Sequence, residues 1–299
     1  MVSEYTLSIV IPAYNYAHTL PRAIGSIASQ TSIPDEVIVI DDGSRDNTAE
    51  VIHSLSLEYP QLGIRYIHQE NQGQSQARNH GIDLATSDYV MLLDADDELL
   101  PEAIQLLMNK ANSDHVDLVI GGSIAVSDNH VEKLRKPERF TMDKQENFRR
   151  FLEKESGITH GGFVVKKSLF GSIRYPENLR GAEDLVVFGH FFALCDLATV
   201  DEPVLKKHHH DGSVRHNVKH AIDSGLQVVD QLFSAPLPIE LMEYQKQFYT
   251  RRCLSLFRTI YLAGDYVTAR QFYILAVKND WKALFDWSYL KKFIRSLFK

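Results

Sequence analysis

Cysteine is scarce: Cys195 and Cys253 are the only two in 299 residues. Two thiols make no disulfide framework, so a reducing compartment, the cytoplasm, fits the chain. Nowhere does an apolar run approach the roughly 20 residues that a membrane-spanning helix needs. The opening Met1-Val2-Ser3-Glu4-Tyr5-Thr6 lacks the basic start and apolar core of a signal peptide. Positive charge is not in excess either. The 32 Lys and Arg against 39 Asp and Glu leave a net −7, which argues against nucleic acid as a partner because such binding needs a basic footprint. No glycine-rich, lysine-bearing phosphate loop follows the first apolar run. Internal repeats and low-complexity tracts are also missing.

What is present is enough apolar residue, 44% of the chain, for a real core, in a length that holds one large domain or a domain plus an appendage. From residue 7 to 122 short apolar runs alternate with helical patterns, as βαβ units do. Strands are expected near 7–11, 36–41, 63–68, 88–93 and 116–121, and helices near 18–30, 47–57, 74–85 and 101–112. Residues 123–155 are more polar, with a helix around 143–154. Sheet-like patterns return at 161–166 and 199–206, on either side of a helix from about 184 to 195. The expectation is an α/β fold with a mostly parallel central sheet, flanking helices and its ligand at the carboxyl edge. Beyond 216 only helical patterns remain, and 250–278, with Gly264 between two periodic segments, reads as a helical hairpin. The chain therefore divides into residues 1–215 and a helical region, 216–299.

The most informative segment is Leu92-Leu93-Asp94-Ala95-Asp96-Asp97-Glu98. Three carboxylates directly after a buried strand repel unless a cation sits among them, and a few hard oxygen ligands suit Mg²⁺ or Mn²⁺ bridging to a diphosphate. A solvated turn capping the next helix, with Pro101 in its first turn, is the bland alternative. Ile9-Val10-Ile11-Pro12-Ala13-Tyr14-Asn15 ends an apolar run in a turn and a flat ring. Val39-Ile40-Asp41-Asp42-Gly43-Ser44 ends another in acids, one of which can accept from the ring N–H of uracil or thymine. Arg78 lies in a small-residue stretch, Gly73-Gln74-Ser75-Gln76-Ala77-Arg78-Asn79, where a planar, permanent charge could meet phosphate or base. Glu183-Asp184 opens an apolar helix, where acids are also favoured simply as caps.

Taken in chain order from about residue 6 to 215, Ile9–Asn15, Val39–Thr48, Asn71–Gly73 with Ala77–Gly81, Asp94–Asp97 and Glu183-Asp184 resemble the family 2 inverting glycosyltransferases, which have the Rossmann-like GT-A fold. The resemblance implies transfer of a sugar from a UDP- or dTDP-linked donor to a hydroxyl of a glycan or lipid-linked acceptor, of the lipopolysaccharide, O-antigen or capsule type. It also implies the residue roles. Pro12, Ala13, Tyr14, Asp42, Arg78, Asp94, Ala95 and Asp96 would line the nucleotide, and Asp96 and Asp97 would hold the metal. Asp184 would act as the base, with Glu183 orienting it or contacting the acceptor. The family often closes its catalytic domain with a His shortly before a Ser, and His210 with Ser213 fits, making His210 a third metal ligand. In an extended stretch His208 and His210 share one face and His209 the other, so the three are not equivalent. His160 and Gly161 stand where related enzymes carry acceptor loops. A nucleotidyltransferase is the rival enzyme class, but the missing phosphate loop leaves it without support. An inactive nucleotide-binding scaffold is the other rival, and the intact Glu183-Asp184 pair argues against it.

The segment from 281 to 299 carries Trp281, Trp287, apolar residues at helical spacing and several cations. It suits either peripheral contact with the inner face of an anionic membrane or a terminal helix docked on the protein.

Overall fold

The computed structural model describes residues 5–127, 133–154, 157–179, 181–209 and 224–299. The chain forms two compact units, Met1–Tyr175 with Leu194–Asp211, and Pro176–Ala193 with Gly212–Lys299.

In the first unit, strands β1 (Leu7–Ala13), β2 (Glu36–Asp41), β3 (Arg65–His68) and β4 (Tyr89–Leu92) pair in parallel in the order β3-β2-β1-β4. Every residue of β1, β2 and β4 is buried, as continuous Val/Ile/Leu runs covered on both faces should be. Helices α1 (Leu20–Ala28), α2 (Thr48–Glu58) and α3 (Gln74–Leu84) make the crossovers. Ile9, Ile11, Val37, Val39 and Met91 share one core with Leu20, Ile24 and Ile27 of α1. On the other side α3 packs closely, with Gly81 directly over Val10.

Beyond β4 the sheet departs from simple alternation. The strand expected at 116–121 is present as β6 (Leu118–Ser127), but it does not lie beside β4. Strand β8 (Phe163–Lys166) sits between them, antiparallel to both. Strand β9 (Leu197–His209) runs parallel to β6, the two-residue β5 (Glu98–Leu99) pairs antiparallel with β9, and β7 (Lys133–Arg135) pairs with β6. Helices α4 (Ala103–Asp114) and α5 (Lys144–Leu152) complete the unit. Asp143 caps α5 by accepting from the amides of Gln145 and Glu146.

The second unit is helical. It holds α6 (Glu183–Leu194, up to Ala193), α7 (Gln227–Leu232), α8 (Gln245–Leu262), α9 (Tyr266–Asn279) and α10 (Trp287–Ser296), preceded by a 3₁₀ turn at Trp281–Phe285. The hairpin expected around Gly264 forms between α8 and α9. Gly264 takes φ +90°, a conformation that costs glycine little. Leu256, Phe257, Ile260, Ala269 and Tyr273 make its core, and Tyr289, Leu290 and Phe293 of α10 dock on it. Among the described residues no helix is long and apolar enough to cross a membrane.

Candidate active site

Parallel strands that end together present their carboxyl edges as a rim. At the end of β1, Pro12 and Ala13 are buried while Tyr14 is exposed. The exits of β1 and β2 are tied together: the Asn15 amide donates to Ser44 Oγ (2.9 Å) and the Arg45 amide to Asn15 Oδ1 (2.8 Å). Asp41 is structural, accepting from the Tyr66 hydroxyl at 2.6 Å and the Ser44 amide at 2.8 Å. Asp42 is buried beneath the loop that enters α3. Its Oδ1 accepts from Gln69 Nε2 (2.8 Å) and the Gln72 amide (2.9 Å), and its Oδ2 from the Gly73 amide (2.8 Å).

The acidic segment after β4 turns tightly, with the Asp97 amide donating to the Asp94 carbonyl at 3.1 Å. It brings Asp94, Asp96 and Asp97 together, so that one carboxylate oxygen from each lies within 4.8 Å of the others. Ala95, also expected at the nucleotide, is buried within the turn. Arg78, buried on α3, donates from Nη2 to Asp94 Oδ1 at 3.0 Å and lies 5.3 Å from the centre of the Tyr175 ring. Burial opposes ionisation of Asp94, yet the charges of Arg78 and Lys207, and of His160 when it is protonated, hold it below the ordinary carboxylate range. Burial also drives the His160 imidazole well below its usual value, so Arg78 is the permanent partner that keeps Asp94 ionised. Asp97 goes the other way. Burial and the charge of Asp94 push it up to about 8, and its Oδ2 is buried without a hydrogen bond.

His160 reaches this cluster because β8 runs antiparallel to β4, with Val90 opposite Val165. Continuing that register past the strand end brings the residues before β8 back to Asp94. His160 Nδ1 is 3.8 Å from Asp94 Oδ2, and its Nε2 is 2.9 Å from the Tyr175 hydroxyl. Gly161, at φ +74°, has a packing reason to be glycine, since a Cβ there would lie 2.6 Å from Leu205 and 2.9 Å from Leu93.

Three residues that no sequence motif singled out also meet the cluster. Arg22 of α1 donates to the Asp96 carbonyl. The Tyr16 hydroxyl is pushed up to about 12 by burial and by the charges of Asp96, Asp94 and Asp97. Lys207 Nζ lies 3.8 Å from Asp97 Oδ2 and donates to Thr159 Oγ1 at 3.0 Å. The last follows from the pairing of β5 with β9, Glu98 opposite Lys206, which carries Asp97 to Lys207. His208 uses its amide on Asp97 Oδ1 (3.0 Å) and its Nε2 on Glu98 Oε1 (3.0 Å), so its ring is engaged outside the acidic triad. His210 and Ser213 lie outside the described residues.

In the second unit Glu183 and Asp184 form the first turn of α6, with Glu183 buried and the Leu185 amide on Asp184 Oδ1 at 2.9 Å. Arg252 of α8 faces them. Burial pulls its guanidinium below the ordinary arginine range while the charge of Asp184 pulls it up, and it donates to the Gly225 carbonyl and Ser224 Oγ. One of three arginines in α8, beside Arg251 and ahead of Arg258, Arg252 carries no sequence signal of this contact.

The curled central sheet with its parallel strands, flanking helices and C-terminal helices defines a fold of the GT-A type. Residues 8–174 match Glycosyl transferase family 2, and the chain belongs to that family. It is 41% identical over 118 residues to the uncharacterized glycosyltransferase YibD of Escherichia coli, covering 40% of this chain and 34% of that one. It is 34% identical over 180 residues to the GalNAc(5)-diNAcBac-PP-undecaprenol beta-1,3-glucosyltransferase of Campylobacter jejuni, covering 59% and 57%. The matches thus span about a third and just over half of those relatives. In fold it is similar to residues 1–349 of S. aureus TarS in complex with UDP. The TM-score is 0.66 at 17% identity, over 97% of this chain and 88% of that one.

Proposed function

We propose that this chain transfers a sugar from a nucleoside-diphosphate donor, UDP- or dTDP-linked, to a hydroxyl of a cell-surface glycan or lipid-linked acceptor, with inversion at the anomeric carbon. The observation that carries the reading is the Asp94–Asp97 turn with Arg78 against it, at the carboxyl edge of the parallel strands in a family 2 chain. The UDP held by TarS and the glucosyltransferase activity in the Campylobacter relative's name support the donor and acceptor classes. The two buried, unpaired cysteines agree with action in the cytoplasm.

The triad fits a divalent cation, Mg²⁺ or Mn²⁺. All three donors are hard oxygens, and the buried Asp97 Oδ2 accepts no hydrogen bond. When bound, the ion would neutralise charge that grows on the departing diphosphate. Asp96 and Asp97 would hold it, and His210 is the third ligand the family pattern offers. Arg78 keeps Asp94 ionised and orients it toward the ribose side of the nucleotide. Tyr14 borders the base, and Asp42 accepts from its ring N–H. Asp184 takes the proton of the acceptor hydroxyl as the new bond forms, so that one displacement completes the transfer. Glu183 orients the base, and His160 and Gly161 belong to the acceptor side.

The test is thermal stability with UDP or dTDP. Stabilisation is expected when Mg²⁺ or Mn²⁺ is present and is expected to vanish in EDTA, because the bare acids repel a diphosphate. Equal stabilisation in EDTA removes the metal from the reading.

A further inference from the structure

Seven of the sixteen large apolar side chains exposed among the described residues lie between Trp281 and Phe298. Sequence spacing places one apolar face on α10, but the structure gives it two. Tyr289, Leu290 and Phe293 dock on the core of α8 and α9. The opposite stripe, Trp287 and Ile294 at helical spacing with Phe298 beyond the helix end, faces outward, and Trp287 and Phe298 are 60% and 85% exposed. Trp281 and Phe285, 62% and 74% exposed, pack edge to face at 5.5 Å in the preceding turn. Lys291 extends over the Trp287 ring at 5.1 Å.

From Lys278 to Lys299 the sequence holds six cations and two acids, within a chain of net −7. Both acids are engaged as helix caps, Asp280 on the Lys282 amide and Asp286 on those of Ser288 and Tyr289. Beside Trp281 a cleft of about 570 Å³ is lined by Lys246, Lys278 and Lys282 together with Glu243 and Asp280.

We propose that this face of the helical unit is a docking surface for an anionic lipid bilayer. Aromatic side chains enter the headgroup boundary while Lys282, Lys291 and Arg295 meet lipid phosphates. A second copy of the chain is a poorer occupant, because pairing this face with itself sets like charges against each other. The proposal goes beyond the transferase reading and does not depend on it.

Trp281 and Trp287 are the chain's only tryptophans, so intrinsic fluorescence reports the surface directly. With the full chain, emission is expected to shift to the blue, and the protein to sediment, with phosphatidylcholine vesicles containing phosphatidylglycerol but not with phosphatidylcholine alone. Each basic residue removed near such a surface lowers partitioning by about fivefold. The pair Lys291→Gln with Arg295→Gln should therefore lose tenfold or more, and Trp287→Ser with Phe298→Ser should abolish the shift. All four side chains are exposed, so unchanged melting temperatures are expected. The metal-dependent response to UDP, read on the same samples, should persist in every variant. Equal partitioning into both kinds of vesicle, none into the anionic ones, or a concentration-dependent blue shift without lipid would each overturn the proposal.

Discussion

The Asp42 carboxylate accepts three hydrogen bonds from the 69–73 loop, and a carboxylate offers about four lone-pair positions. One position therefore remains, the one that the proposed contact with a pyrimidine ring N–H would use. The three contacts also fix the carboxylate in place before any ligand arrives, which is what a recognition residue requires. Asp184 has a different setting, the first turn of a helix opposite the Arg252 charge. Asp184→Asn keeps size and most hydrogen bonding but cannot accept a proton, and loss of a general base typically costs about 10²–10⁴ in rate. Turnover with an identified donor and acceptor is expected to fall by that factor, while metal-dependent nucleotide binding stays near normal. Near-normal turnover would move the base role to Glu183.

At the scale of elements, local patterns and long-range pairing were not equally legible. The strands and helices up to β4 follow from apolar runs and helical periodicity, and the acidic turn follows from where β4 must stop. Antiparallel β8 between β4 and β6, and β5 against β9, could not be read from any run of residues, because pairing partners are chosen by the whole sheet. Those two pairings bring His160 and Lys207 to the acids. Sequence alone made His160 an acceptor contact and gave Lys207 no role. The fit of α3 on β1 is similarly hidden. A Cβ on Gly81 would lie 2.2 Å from Val10 Cγ1, on a stiff branched side chain in a fully buried strand. Alanine gains up to about 1 kcal/mol in helix propensity over glycine, but overpacking a core costs about 1–3 kcal/mol. Gly81→Ala is therefore expected to destabilise the fold by up to about 2 kcal/mol in urea unfolding. Gly171→Ala, where nothing lies within 4 Å of the added carbon, should stay within about 0.5 kcal/mol of the parent.

For the whole molecule, the acidic balance that argues against a nucleic-acid partner has a local counterpart in the acidic triad. Asp97 is raised from 3.8 to about 8 by burial and by Asp94, so between those values the folded, metal-free chain holds a proton that the unfolded chain has released. Stability from this group is full below pH about 4 and is lost as the pH rises through about 8. A divalent cation held by Asp97 takes the proton's place, so its binding inside that window should release a proton and strengthen as the pH rises. In EDTA, the stability of the parent relative to Asp97→Asn is expected to fall between pH 5 and pH 8. With saturating Mn²⁺ that slope should flatten or reverse, and calorimetry in buffers of different ionisation enthalpy should register the released proton. A parent-to-variant difference that ignores pH, with and without the ion, would mean that Asp97 is ionised in the free chain and that the triad does not hold its cation through this carboxylate.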